Sequence, residues 1–540
     1  MKNQKIVERL IQIVFVLSLP FFSLMVLHSA AGVAGYVVNI ALTFVVAVLI
    51  SGKAAKYVVA QKNTACFWIA IVAAFYVVYA YAWQGNGIYI INMLRESFEN
   101  AFTAQFTTKR MVAGLIATSF PSVFVMIYCL LNLLWPYVWQ FLKSLDRLEK
   151  GYLVLVFAGA VIFVSFFYLH TSVCYRPVIE GKLQVYDVLY TTDSGEIYNG
   201  DTLFRILASA NDIRQPLFGV FAMPVALVGK LIAAVLFFIP EIYAIALGVL
   251  QILLEGVTVV MLLRLMGLHG KERIGCMLFF SCSYAYIIHG LMMEQYVIAY
   301  FYVILLFYIY KKSDKLNFVY FGAVSTLITS GILFGFITKA KGIKQKIIDL
   351  FKCFMIYMGI VIVCGQLPQF LGATDTIQKL MVFSGEKVTW AGKWVQFTHF
   401  FREMFWAPRG SVQTYFFPCY RVSEPTGISW VGIAILICTL CGFALSYKEW
   451  ISKVAVLWVG FSAVILFVIG WGTAENGLIL YALYFAWAYL ILIYQFLRKI
   501  LKNQVVLNVV VTCLAVTMLI RNVYELAQIY QFGITYYPTF

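Results

Sequence analysis

The chain has 540 residues, 63% of them hydrophobic, 17% aromatic and only 12% charged. Soluble domains carry roughly 45–50% apolar and about 25% charged residues, so a water-soluble globule is excluded. The formal charge of +16 does not mark a nucleic-acid binder, because the lysines and arginines fall in short clusters between apolar runs and build no basic domain.

A hydrocarbon core about 30 Å thick needs about 20 apolar residues per helix. On that measure the first spans cover residues 10–30, 33–50, 64–83, 111–135 and 152–170. The first has no small-residue cleavage site and reads as a retained span, with Lys2, Lys5 and Arg9 holding its start in the cytoplasm. An acidic loop, 171–215, comes next. The apolar stretch 216–240 is expected to lie along the outer interface with Lys230 snorkelling to the surface. If it crossed, Arg264, Lys271 and Arg273 would lie outside. Further spans follow at 241–265, 275–289 and 294–310. Residues 317–337 then enter and return as two short helices meeting at Thr329, Ser330 and Gly331. A span at 351–368, a second long loop at 369–426, and spans at 427–446, 453–471, 477–496 and 504–520 complete the chain. Placing every second loop inside gathers most of the cations on the cytoplasmic face and leaves most carboxylates outside or in the membrane. The expected fold class is an all-α polytopic membrane protein in the cell membrane, with a cytoplasmic N-terminus.

Loops much longer than about 12–15 residues are usually functional or disordered. The first long loop is acidic, with Asp187, Asp193, Glu196, Asp201 and Asp212 in YDVLYTTDSGEIYNGDTLFRILASANDIRQPLF. The second is basic and aromatic, with Lys379, Lys387, Lys393, His399, Arg402, Arg409 and Arg421 among Trp390, Trp394 and Trp406. Sugar transfer from a phosphate leaving group needs both sets: a carboxylate to deprotonate the acceptor hydroxyl, and cations to stabilise the departing phosphate. Nothing in the sequence calls for a metal or another cofactor. Cys174 and Cys419 both fall in outer loops, where a disulfide would be chemically reasonable. Glu255 lies deep in its span and needs a partner, for which Gln251 is the nearest choice.

The order of elements resembles the polyprenyl-phosphate-sugar-dependent glycosyltransferases of the GT-C fold, including the bacterial relatives of protein mannosyltransferases and aminoarabinose transferases. The resemblance runs from about 152 to 426: a span ending at His170, the acidic loop, RQPLFGVFAMPVALVGKLI, a span ending in LLRLMGLHGKER, and SYAYIIHGLMMEQYVIAYFYVILLFYIYKK. It implies a GT-C-like bundle of about 13–15 transmembrane helices. It places the family's loop aspartate at Asp193, its surface stretch at Gln215, Pro216 and Leu217, and its later acidic element at Glu294 with Tyr296. The implied layout is an N-terminal four-span addition (1–150), core spans (151–368) with the acidic loop and an interfacial helix (216–240), a covering loop (369–426) and a C-terminal four-span region (427–540).

The implied activity is inverting, metal-independent transfer of a sugar from a polyprenyl-phosphate carrier to a glycan, lipid or protein acceptor at the outer face of the bilayer. Asp193 would be the base, and Glu196, Asp212, Arg214, Glu294, Tyr296, Arg409 and Arg421 the substrate-binding residues. Asp193 in TTDSGE also fits a solvated turn, Arg214 also fits a structural partner of the loop acids, and Glu294 also fits a helix N-terminus in headgroup water. Other readings of the whole chain are a lipid-linked glycan flippase, which calls for two related halves and midplane charges, and an envelope-polysaccharide polymerase.

Overall fold

The computed structural model describes residues 2–27, 32–83, 108–179, 181, 183–206, 214–312, 317–338, 341–371, 378 and 381–539. The protein is 77% helical. In chain order the main helices are α1 (Lys2–Val26), α2 (Gly32–Ala60), α3 (Thr64–Trp83), α4 (Thr108–Ser144), α5 (Arg147–His170), α6 (Ser194–Asn199), α7 (Phe218–Val235), α8 (Ile242–Leu265) and α9 (Glu272–Ser281). They continue with α10 (Tyr284–Leu291), α11 (Tyr296–Lys312), α12 (Asn317–Thr326), α13 (Ile343–Val363), α14 (Trp390–Glu403), α15 (Trp430–Ser446), α16 (Trp450–Ser462), α17 (Ala482–Ile500) and α18 (Gln504–Tyr536). The strands form two antiparallel pairs, β1 (Val178–Ile179) with β2 (Leu183–Gln184) and β3 (Gly410–Thr414) with β4 (Pro418–Val422).

Among the described residues 10 helices are long and apolar enough to cross a membrane, and the bent pair α9–α10 makes 11 if it counts as one span. Two shorter apolar helices, Tyr296–Lys311 and Trp430–Ser446, add to these. The chain is a multi-pass membrane protein. Residues 317–337 form α12, a 3₁₀ turn at Ile328–Leu333 and a four-residue helix at Phe334–Ile337. The stretch read as one span at 275–289 is bent by 56° between α9 and α10. The break is filled from elsewhere in the chain: Asn522 donates to the Cys282 carbonyl at 2.8 Å, while the Tyr284 and Ala285 amides donate to the Phe405 and Met404 carbonyls at 3.1 Å each. α7, expected at the interface, is itself long and apolar enough to span.

The chain forms two compact units. The first holds residues 1–146, 211–217 and 340–374. Ser23 is its polar knot: it accepts from Asn39 at 2.7 Å and Thr43 at 3.1 Å and donates to the Ile362 carbonyl at 3.3 Å, joining α1, α2 and α13. Helix α13, counted from sequence with the core spans, therefore packs with the N-terminal helices. Interhelical hydrogen bonds of this kind help hold apolar helices in lipid, where burial of apolar surface gives little drive to associate.

The second unit holds residues 147–210, 218–339 and 375–540. Helix α8 is apolar all round and mostly buried, as a central helix must be. Small residues let α5 approach it closely: a Cβ on Gly248 would come within 2.8 Å of Val164, and one on Gly256 within 3.0 Å of Val156. Charges fix the direction of the helices. Glu149, at the start of α5, is 2% exposed and pairs with both Arg264 near the end of α8 and Arg273 at 3.3 Å. Lys311 at the end of α11 donates to the Leu265 carbonyl at 3.1 Å. Glu272 pairs with Arg498 at 2.8 Å, and Glu449 with Lys499 at 3.1 Å. One end of the unit thus collects charges that the sequence placed together on one face. The end of α5, the starts of α8 and α11, and the described parts of both long loops within this unit lie at the opposite end.

Candidate functional site

The two long loops are stitched together by their backbones. Leu189 and Tyr420 form a parallel bridge, in which the Tyr190 amide donates to the Tyr420 carbonyl at 2.9 Å and the Tyr420 amide to the Val188 carbonyl at 2.7 Å. The β3–β4 hairpin that supplies Tyr420 rests on α18. Glu525 accepts from the Gly410 amide at 2.9 Å and the Tyr420 hydroxyl at 2.7 Å, and Arg521 pairs with Glu525 at 2.9 Å and donates to the Pro408 carbonyl at 2.9 Å. Alternation along β4 sends the side chain of Arg421 to the face opposite Tyr420.

That placement brings Arg421 up against the acids of the first loop. The Asp187 carboxyl is held above the ordinary carboxylate range, first because protein shields it from water. The nearby Glu475 and Glu196 add to this, while Arg421 and a hydrogen bond with Asp193 act against it. Two carboxyl groups in hydrogen-bonding contact titrate as a pair that shares a proton. Asp193 itself precedes α6, and its amide donates to Glu294 Oε1 at 2.8 Å. Glu294 lies between α10 and α11 and is only 3% exposed.

Backbone strain concentrates here. Asp187, Tyr190 and Thr191 have φ of 57°, 51° and 65°, and Asn476, across the site, has 52°. Non-glycine residues in this region cost about 1–3 kcal/mol each and persist only where neighbours over-determine them. The Tyr420 bridge does so for Tyr190, whose hydroxyl also lies 3.0 Å from that of Tyr284. Gly477 permits the close approach at Thr191, since a Cβ there would lie 2.9 Å from Thr191 Oγ1. Asn476 ties its turn to the hairpin through bonds of 3.4 Å to the Val422 and Ser423 carbonyls.

A cavity of about 690 Å³ opens beside this junction, bounded by Thr191, by α14, by β3–β4 and the segment after it, and by the turn at 473–476. Arg421, Glu424 and Glu475 line it, with Gln396, Gln413 and Asn476. Among the described residues, Arg421 Nη1 and Gln396 Oε1 are buried without a hydrogen-bond partner. The Gln396 amide nitrogen is already committed to the Thr473 carbonyl at 3.1 Å, so its oxygen is the atom left over.

Of the residues expected from sequence, Asp193, Glu196, Glu294 and Arg421 come together in this neighbourhood. Tyr296 does not line the cavity. It is buried in an aromatic cluster with Tyr484 at 4.7 Å and His289 at 5.3 Å. Arg409 stands exposed before β3, outside the cavity lining. Arg214 belongs to the first unit, and Asp212 lies outside the described residues.

Two structural expectations are corrected, those for Glu255 and for the cysteine pair, and a third, for Lys230, gains a partner. The Lys230 ammonium, expected to snorkel to the surface, is half-buried and tied to Asp201 of the first loop at 2.7 Å over the Tyr243 ring. Gln251 serves the Glu294 and Met292 carbonyls, leaving Glu255 Oε1 without a partner among the described residues. Cys174 and Cys419 are free buried thiols, so no disulfide joins the loops.

The sequence reading passed over Asp187 as a site residue, and Gln396, Glu475 and Asn476 altogether. Its one available signal for the last two was WGTAENG, a polar and glycine-rich break between two apolar runs. No known family, curated protein or solved structure matches the chain.

Proposed function

We propose that the protein is an integral-membrane inverting glycosyltransferase that takes a sugar from a polyprenyl-phosphate carrier at the outer face of the bilayer. The observation that carries this reading is the meeting of Asp187, Asp193, Glu196 and Glu294 with Arg421 beside a polar cavity. The acceptor hydroxyl oxygen attacks the anomeric carbon as the bond from that carbon to the phosphate oxygen breaks. The hydroxyl proton passes to the Asp193 carboxylate, and the electron pair of the broken bond leaves with the polyprenyl phosphate. Asp187 makes Asp193 more basic as a neighbouring negative charge, and Glu294 positions it through the backbone amide. Arg421 faces the negative charge that grows on the departing phosphate. A glycan, a lipid or a protein supplies the hydroxyl, and the embedded fold keeps the isoprenoid chain in lipid throughout.

The test is sugar release from a labelled polyprenyl-phosphate donor by detergent-purified protein. Wild-type protein is expected to turn the donor over and Asp193→Asn to lose this at equal folded yield. A wild-type protein that leaves the donor intact rejects the reading, and full activity in Asp193→Asn removes that residue as the base.

A further inference from the structure

The walls of the cavity match a phosphate at Arg421 alone. Beyond Arg421 at its edge, the charged residues lining it are Glu424 and Glu475, so one arginine faces two carboxylates. The remaining polar lining is amide and hydroxyl, with Gln396, Gln413, Asn476 and Thr191 among it. Gln396 Oε1 is a buried acceptor waiting for a donor, held in that orientation because its nitrogen is spent on Thr473. An ionised phosphate offers only acceptors, so it would serve Arg421 Nη1 and leave Gln396 Oε1 unsatisfied, whereas a sugar hydroxyl both donates and accepts and can serve the two. An unpaired buried group of this kind costs about 1–3 kcal/mol, so an occupant that pairs it gains correspondingly. The size fits too, since small-molecule pockets run from about 300 to 1,000 Å³.

We infer that the cavity bounded by α14, the β3–β4 hairpin and the 473–476 turn binds the acceptor as an uncharged, hydroxyl-rich saccharide, with Gln396 as a specificity-determining residue. This rests on the transferase reading and adds that the acceptor is a glycan. Its sugar ring lies in the amide-lined body, its reactive hydroxyl points to the Arg421 edge where the first-loop acids converge, and the donor phosphate stays outside the body. Glu424 and Glu475 accept from ring hydroxyls and repel anionic ligands.

The experiment is saturation-transfer NMR on the detergent-purified full chain, with a fixed panel of methyl glycosides of neutral hexoses, pentoses and N-acetylhexosamines. Inorganic phosphate serves as competitor. At least one glycoside is expected to give protein-dependent signals that phosphate does not displace. Gln396→Leu should weaken that binding about five- to tenfold, the loss of one to two hydrogen bonds. Gln413→Ala, on the half-buried β3 side of the lining, is a second variant that leaves Gln396 untouched and should weaken binding by a smaller factor. No signal from any panel member, displacement by phosphate, or unchanged binding in both variants overturns the inference. Donor turnover, measured separately, keeps the two proposals apart. Turnover without glycoside binding rejects the acceptor cavity alone, and glycoside binding without turnover rejects the transferase alone.

Discussion

The two ends of the second unit use charge in opposite ways. At one end Glu149 is enclosed by Arg264 and Arg273, Glu272 meets Arg498, and Glu449 meets Lys499, so each of these acids has its cation. At the other end Arg421, Glu475, Asp193 and Glu196 act on the Asp187 carboxyl, Glu294 holds the Asp193 amide, Asp187, Tyr190 and Thr191 have left-handed backbone, and Arg421 Nη1 and Gln396 Oε1 are buried without a partner among the described residues. An acid that meets its cation needs nothing more than the fold. A pairing that is incomplete, and held so by strain, is what a site shaped for a ligand looks like.

The contrast can be broken most sharply at Asp193. Asp193→Asn is expected to lower transfer by about 10²–10⁴-fold, the usual worth of a general base, with the thermal midpoint in detergent unchanged. Equal losses of activity and stability would make the acid end structural like the other. At the paired end the pattern should invert. Glu149→Gln strands two largely buried guanidinium groups and is expected to cost about 3–5 kcal/mol of stability, while activity per folded molecule is retained. Denaturation followed by tryptophan fluorescence, alongside the donor assay, checks both halves.

A smaller effect sharpens the acid end by pH. The folded protein holds the Asp187 proton more tightly than the unfolded chain. The acid limb of kcat/KM should therefore lie above the ordinary carboxylate range, with activity rising as the pair loses its proton. Arg421→Gln removes a charge that pulls this value down and should move the limb to higher pH. Glu475→Gln removes one that pushes it up and should move the limb to lower pH. By linkage, the ionised Asp187 costs stability increasingly as pH rises through its folded value. Asp187→Asn should then unfold at a higher temperature than wild type near neutrality while working more slowly. The smallest effect is expected at Phe416, which is 100% exposed at the tip of the hairpin. Phe416→Ser should change stability by no more than about 0.5 kcal/mol.

Spans and charge faces were legible in the sequence because apolar length and cation clustering are local signals. They located α5, α8 and the Glu149 neighbourhood, and the two lysines that both call for the cytoplasmic face, Lys315 and Lys339, marked 317–337 as a stretch of short helices rather than one span. The bend between α9 and α10 was not legible, because it is held open by Asn522 and by the Met404 and Phe405 carbonyls, more than 100 residues away. The same reason hid half of the candidate site. Asp193 and Arg421 stood out as charges in long loops, but Asp187 gains its character from burial first and then from Arg421 and Glu475, and Gln396 from Thr473. Those partners are set by the Leu189–Tyr420 bridge and the Asn476 turn, which no spacing along the chain encodes.

The central claim is that the first and second long loops act as one site. A double-mutant cycle on kcat/KM for sugar transfer, with Asp187→Asn, Arg421→Gln and both together, tests it most directly. A coupling of about 1 kcal/mol or more between the two substitutions is the expected result, as for groups that touch. Additivity within about 0.3 kcal/mol would mean that the two loops work independently, and would contradict the account.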